Sequence, residues 1–371
     1  MAHPSSTPQH SKSKKRKLSR DGLTDSAAAE HAELIRDEKV WFDDGNVIVR
    51  AGPGCTGDGP VYGFRCHSSV LAARSPVFHD MFQLPNAAGE RLEGAACVDL
   101  PDDWEDVRGL LRYLYGSIDM TPLVALWHAD TLKIVSGPLR LAAKYDMDSV
   151  TQELMPVLER DWPRGYDEWL LGKRGFQLRY GGTLTIPREN YPDPAAAIRL
   201  AMDIRLRSVL PAAFYELSQI SIRKPLNVES YDRWADAKLL SAEDMERLTV
   251  GRERIARYLA DDLFDRIDNA IRNFPQDVKH KGNHSSVVCI ADLDRWWGKE
   301  HPVGGKLYFE GPLAVLQRLE RNLKAEDPLD ESLAEVCGGC RVELSCALQW
   351  EARAFWKKLP ELFDLASLPF E

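Results

Sequence analysis

Cysteine offers the densest chemistry in this chain. Cys337, Gly338, Gly339 and Cys340 form a Cys-x-x-Cys, with Cys346 close behind. A structural zinc is held by four ligands, commonly from two such pairs, and no second pair is local. Cys289, His284 or His301 would complete a set only if the fold carried one of them to the motif. A redox reading would want a thioredoxin-like βαβ setting, which the flanking sequence does not offer. The plain reading is of thiols that cap or pack helices. Cys337, Cys340 and Cys346 stay as metal candidates, and no metal or cofactor is assigned. The 7 cysteines are odd in number and scattered, which suits reduced thiols.

Other candidate chemistry fails on context. His67 has the chemistry of a general base, but no nucleophile accompanies it, and Ser68 and Ser69 are better used at a helix start. It reads as a packing histidine. Gly52, Gly54 and Gly57 match G-x-G-x-x-G after an apolar strand. A dinucleotide loop must run into a helix whose N-terminus faces the pyrophosphate. Here Asp58-Gly59-Pro60 leads into another strand, so a long hairpin loop is expected. The chain has no G-x-S-x-G, H-E-x-x-H or Walker loop, and no carboxylate pair stands above the acidic background. No catalytic residue is assigned, and a non-enzymatic protein is expected. Asn283-His284-Ser285 fits a glycosylation sequon, of no consequence without secretion.

The 371 residues are 44% hydrophobic and 28% charged, with a net charge of −9. That balance is ordinary for a globular protein and argues against direct nucleic-acid binding. No apolar run reaches the roughly 20 residues of a membrane span, and no secretory signal is expected. Residues 1–30 are Ser/Pro/Lys-rich and are expected to be a disordered basic tail. Lys14, Lys15, Arg16 and Lys17 lie there in KSKKRKLSR. A dense cationic run on a flexible segment suits a nuclear-import receptor, and a solvated tail is the competing reading. Ser13 and Ser19 flank it, where phosphorylation would cancel charge. Nuclear and/or cytoplasmic residence is expected.

The elements that must position these residues centre on Phe64–Phe82. Phe64 and Cys66 alternate with Arg65, as in a half-buried strand. Ser68 is placed as N-cap of a short helix through Ala73. Ser75 at N-cap and Pro76 at N1 open a second helix, with Val77, Phe78, Met81 and Phe82 on one face. A strand holds Cys97 and Val98. Asp102, with Glu105, is placed as the cap of a helix whose stripe is Trp104, Val107, Leu111, Leu114 and Tyr115. Another helix over Thr131–Met147 is expected to break or begin at Gly137-Pro138, and one more, over Val150–Leu158, ends at Trp162-Pro163. Residues 161–192 read as an irregular linker or insertion, and 193–371 as mainly helical.

The run F-R-C-H-S-S-V-L-A-A-R-S-P-V-F-H-D-M-F, with CVDLPDD, WEDVRGLLRYLYG, WFDDGNVIVRAG and LAAKYDM, resembles the BTB/POZ domain. The likeness is to a large fungal branch in which a helical extension follows the domain. The positions that carry it are His67, Leu71, Ser75, Phe78, Met81 and Phe82. The resemblance implies an α+β class: a BTB/POZ fold, a small mixed sheet flanked by helices, at about 38–160, before the helical region. It implies a protein-interaction adaptor or scaffold that self-associates and binds protein partners, with no nucleic acid and no membrane. One form is a substrate adaptor for a cullin-type ubiquitin ligase, docking through Phe78–Phe82 and the loop Asn86–Glu93. Such adaptors carry an apolar-x-Glu in that loop. Ala88-Gly89-Glu90 is the nearest equivalent, with Glu93 beyond. The alternative is a nuclear transcription cofactor or scaffold without cullin binding. Relatives of that kind have an Asp/Arg pocket, where this chain places Asn46 and Ser68. A third alternative, an enzyme in the C-terminal half, would show as a pocket of convergent polar groups.

Overall fold

The computed structural model describes residues 34–84, 90–181, 190–222, 233–272, 286–300, 311–325, 333 and 336–370. The basic run Lys14–Lys17, Ala88, His284 and His301 lie outside the described residues.

The first half is a five-stranded mixed sheet under helices. Its strands are β1 (Leu34–Trp41), β2 (Val47–Ala51), β3 (Val61–Cys66), β4 (Arg91–Leu92) and β5 (Ala95–Asp99), in the spatial order β1-β3-β2-β5-β4. β2 and β3 are antiparallel, so the glycine-rich stretch between them is a hairpin loop. Gly52 and Gly59 take φ values of +119° and +146° there, where a side chain would be strained. β2 is buried on both faces. Val47, Val49 and Ala51 meet the helices with Phe64 and Cys66, while Ile48 joins Ala95 and Cys97 beneath Trp41 and Leu92.

α1 (Ser68–Arg74) and α2 (Pro76–Gln83) form the helical hairpin, and α3 (Trp104–Leu114), α4 (Thr121–Val124), α5 (Thr131–Lys144) and α6 (Asp148–Asp161) complete the layer. Three local expectations are corrected. Ser68 does not cap α1: the Asn46 side chain, from before β2, accepts from the Ser68 amide at 2.8 Å. Asp103, not Asp102, caps α3, accepting from the Glu105 amide at 2.7 Å. Asp102 turns to Lys144 and Tyr145 instead. α5 also runs unbroken through Gly137-Pro138. Gly137 is needed there because a Cβ would lie 2.8 Å from Asp106 Cα of α3. In α3, Val107, Leu110 and Leu111 are buried. Trp104 lies at the margin, stacked on Tyr62 at 3.8 Å between ring centroids.

The stretch 161–192 is not irregular where described, because α7 (Tyr166–Arg179) occupies it. Beyond it come α8 (Pro194–Asp203), α9 (Leu210–Ser218), α10 (Ala242–Arg257), a π-helical turn at Tyr258–Leu263, α11 (Phe264–Arg272), α12 (Ser286–Glu300), α13 (Pro312–Lys324) and α14 (Gly338–Leu362). Ser241 and Asp244 close a capping box at the start of α10. Leu316, Leu319 and Leu323 are all buried, as their spacing predicts.

Candidate interaction surface and thiol cluster

Ser75 holds the helical hairpin to the domain. Its Oγ accepts from the Phe78 amide at 3.1 Å and donates to the Tyr145 carbonyl at 2.5 Å, in a fully buried position. Phe78 is 1% exposed and lies against Tyr145, ring centroids 4.6 Å apart. It is core and cannot serve as docking surface. Val77, Met81 and Phe82 are only half-buried, and Leu84 just beyond α2 is 63% exposed. Among the described residues, the apolar side chains left partly or fully exposed at this end are therefore Val77, Met81, Phe82 and Leu84.

The acidic side chains of the expected docking loop are committed within the domain. Glu90 pairs with Arg50 at 2.8 Å, and Arg50 also bonds Asp99. Glu93 meets Arg36 at 2.5 Å and Arg65 at 3.7 Å. These pairs tie β4 and its turn to β1, β2 and β3.

His67 is satisfied on both ring nitrogens. Tyr115 Oη lies 3.0 Å from Nδ1 and accepts from the His67 amide, while Nε2 is 3.3 Å from Asp44. Tyr115 Oη is thus bonded by both the amide and the ring of His67, and among the described residues no serine or cysteine is paired with this imidazole. Asn46 and Ser68 bond each other directly, Nδ2 donating to Oγ at 3.0 Å. The position where an Asp/Arg pocket would sit is thus neutral and internally satisfied.

A cleft of about 880 Å³ runs between α3, α5, Tyr191–Pro194 and Arg233-Trp234. Its arginines are already engaged, in part by groups outside its lining. Arg140 bonds Asp106 and Asp203, Arg112 bonds Asp37, and Arg108 lies over Trp104. Burial raises the Asp106 carboxyl above its usual range despite Arg140. The lining hydroxyl of Ser136 donates to Leu132 O. Among the described residues the cleft presents no nucleophile with a base beside it.

Sequence reasoning missed a buried polar cluster between α7 and α9. Glu216 accepts from Trp169 Nε1 at 2.9 Å and pairs with Lys173 at 3.0 Å and Arg233 at 3.4 Å. Lys173 Nζ also lies 4.6 Å from the centroid of Trp127, in the first half. Burial alone would raise the Glu216 carboxyl, but the two cations and the indole hold it below the usual range. No local pattern marks this cluster, since its members span residues 127 to 233.

The fold brings Cys337 and Cys340 together with Cys289 of α12, all three Sγ atoms within 4.8 Å of one another. Cys346 is exposed and stands apart from them. Burial, then hydrogen bonding to Cys337 and Cys289, pushes the Cys340 thiol well above its ordinary value. In the thiol form the group is inert as a nucleophile. No described helix is long and apolar enough to cross a membrane.

Residues 61–161 match the family model of the BTB/POZ domain. No curated protein matches the chain. The match begins at β3 and ends with α6, while β1 and β2 precede it and hydrogen-bond into the same sheet. With the mixed sheet, the Ser75-capped hairpin and the α3–α6 layer all in place, this part of the chain is a BTB/POZ domain, a protein-interaction domain, followed by a helical region.

Proposed function

We propose that the chain is a non-enzymatic adaptor or scaffold. Its BTB/POZ domain takes one protein partner, or a second copy of itself, and its helical half positions another. The observation that carries this is the apolar group of half-buried Met81 and Phe82 with exposed Leu84, on a domain whose family role is protein interaction. A cullin is the first partner to test. Glu90 and Glu93 are held in ion pairs, so recognition falls to the apolar group rather than to the acidic loop.

The full chain is mixed with a purified cullin N-terminal domain and followed by size-exclusion chromatography with light scattering. A complex at about 10 µM or tighter is expected, weakened at least about tenfold by Leu84→Asp. Leu84 is exposed, so the variant keeps its fold. Absence of a complex at about 50 µM would remove the cullin reading and leave the nuclear scaffold. That second reading is favoured by the neutral Asn46–Ser68 pair only in a form distinct from the Asp/Arg-pocket cofactors. It rests on Lys14, Lys15, Arg16 and Lys17, and alanines at these four should then abolish nuclear accumulation of the tagged chain.

A further inference from the structure

α12 meets the start of α14 through sulfur. Cys289 lies in the first turn of α12, Cys337 is the N-cap of α14, and Cys340 is in the first turn of α14. Cys289 and Cys340 are buried and Cys337 is half-buried. This is the one such group of metal-ligating side chains among the described residues. We propose that Cys289, Cys337 and Cys340 are three ligands of a zinc ion that staples α12 to α14.

The geometry is close to what zinc requires. Zn–S bonds of about 2.3 Å at tetrahedral angles put the sulfurs about 3.8 Å apart. Every pair here is already within 4.8 Å, so closing the site takes a shift of about 1 Å or less, within the reach of side-chain torsions. Soft thiolates select zinc over magnesium or calcium. The described residues bring no fourth side chain into the set. The entry to the site is braced by Arg341, which donates to the carbonyls of Ala325, Leu333 and Val336 and so fixes the chain leading into Cys337.

The stapling has a purpose the helices alone leave unmet. α12 packs chiefly on α11, whereas α14 packs on α13, α11, α10 and α9. A metal bridging positions 289 and 337 closes a long loop, where cross-links gain most.

The full chain is produced with zinc in the medium, kept reduced, and its metal content measured. About one zinc per chain is expected. Cys289→Ser, Cys337→Ser and Cys340→Ser should each bring this below about a tenth, while Cys346→Ser keeps it. Should those variants fail to fold, cobalt titration of the unaltered chain decides the matter. Stoichiometric uptake with intense sulfur-to-cobalt charge-transfer bands supports the site. Zinc-free protein that takes up no cobalt would overturn it, as would zinc retained in all three folded serine variants.

Discussion

Removal of the Ser75 hydroxyl should open the α1–α2 hairpin without disturbing its surroundings. Ser75→Ala leaves the Phe78 amide without its cap, a loss of about 1 kcal/mol. It also leaves the Tyr145 carbonyl without its donor in a buried place, about 1–3 kcal/mol more. The sum is about 2–4 kcal/mol, so amide protection across Pro76–Gln83 should fall at least roughly 30-fold. Hydrogen exchange with mass spectrometry reads this directly in the full chain. Ser68→Ala is the companion. Ser68 Oγ only accepts from the Asn46 amide at an exposed position, so its loss should cost under about 0.5 kcal/mol and change protection less than about threefold. Equal, small effects from both variants would refute the claim that Ser75 is what binds the hairpin to the Tyr145 turn.

Other consequences are as direct. Glu216→Ala strands Lys173 and Arg233 without their counter-ion and should cost about 3 kcal/mol or more in urea unfolding. Because the Glu216 carboxyl is held low in the fold, its contribution is complete above the unfolded value of about 4.3 and is lost as pH falls through the lower folded value. Glu216→Gln should flatten that part of the acid-stability profile, and an unchanged profile would count against the ion cluster. In Gly251→Ala the new Cβ would sit 2.1 Å from the Phe363 ring, which is fully buried and stacked on Phe214. A cost of about 1–3 kcal/mol and a lower melting temperature are expected. Gly137→Ala should destabilise comparably by forcing α5 away from α3, with the loss read in the same thermal scan.

The sequence carried the BTB/POZ domain because its signals are local. Ser-Pro fixes the start of α2, and the alternation through Phe64–Cys66 marks a sheet face. The misses share a physical cause, which is that the deciding partner is remote. Asn46 caps α1 from 22 residues upstream, so the nearer Ser68 looked sufficient. β1 reads as polar, with Asp37, Glu38 and Lys39 in its middle, and is a strand because it pairs in parallel with β3. α7 has no clean period because its apolar residues face all ways. Trp169 and Phe176 are buried while Leu171 and Leu178 are 63% and 82% exposed. Pro138 does not break α5, since close packing against α3 holds the helix together around it. Of the thiol group, the pair at Cys337 and Cys340 is visible in sequence, but choosing Cys289 as their companion required the tertiary structure.

α7 changes what kind of connection exists between the two halves. Its Trp169 and Lys173 are locked to Glu216, its Phe176 meets Trp127, and Arg353 of α14 grips its Asp167 through two nitrogens. A loose tether would let two bound partners sample many separations and would set only their effective concentration. A docked helix instead presents them at one distance and one angle. Each residue added to α7 would swing everything beyond it by about 100° and push it out by about 1.5 Å. Length changes here should therefore act as an on-off condition on any assembly that engages both ends at once.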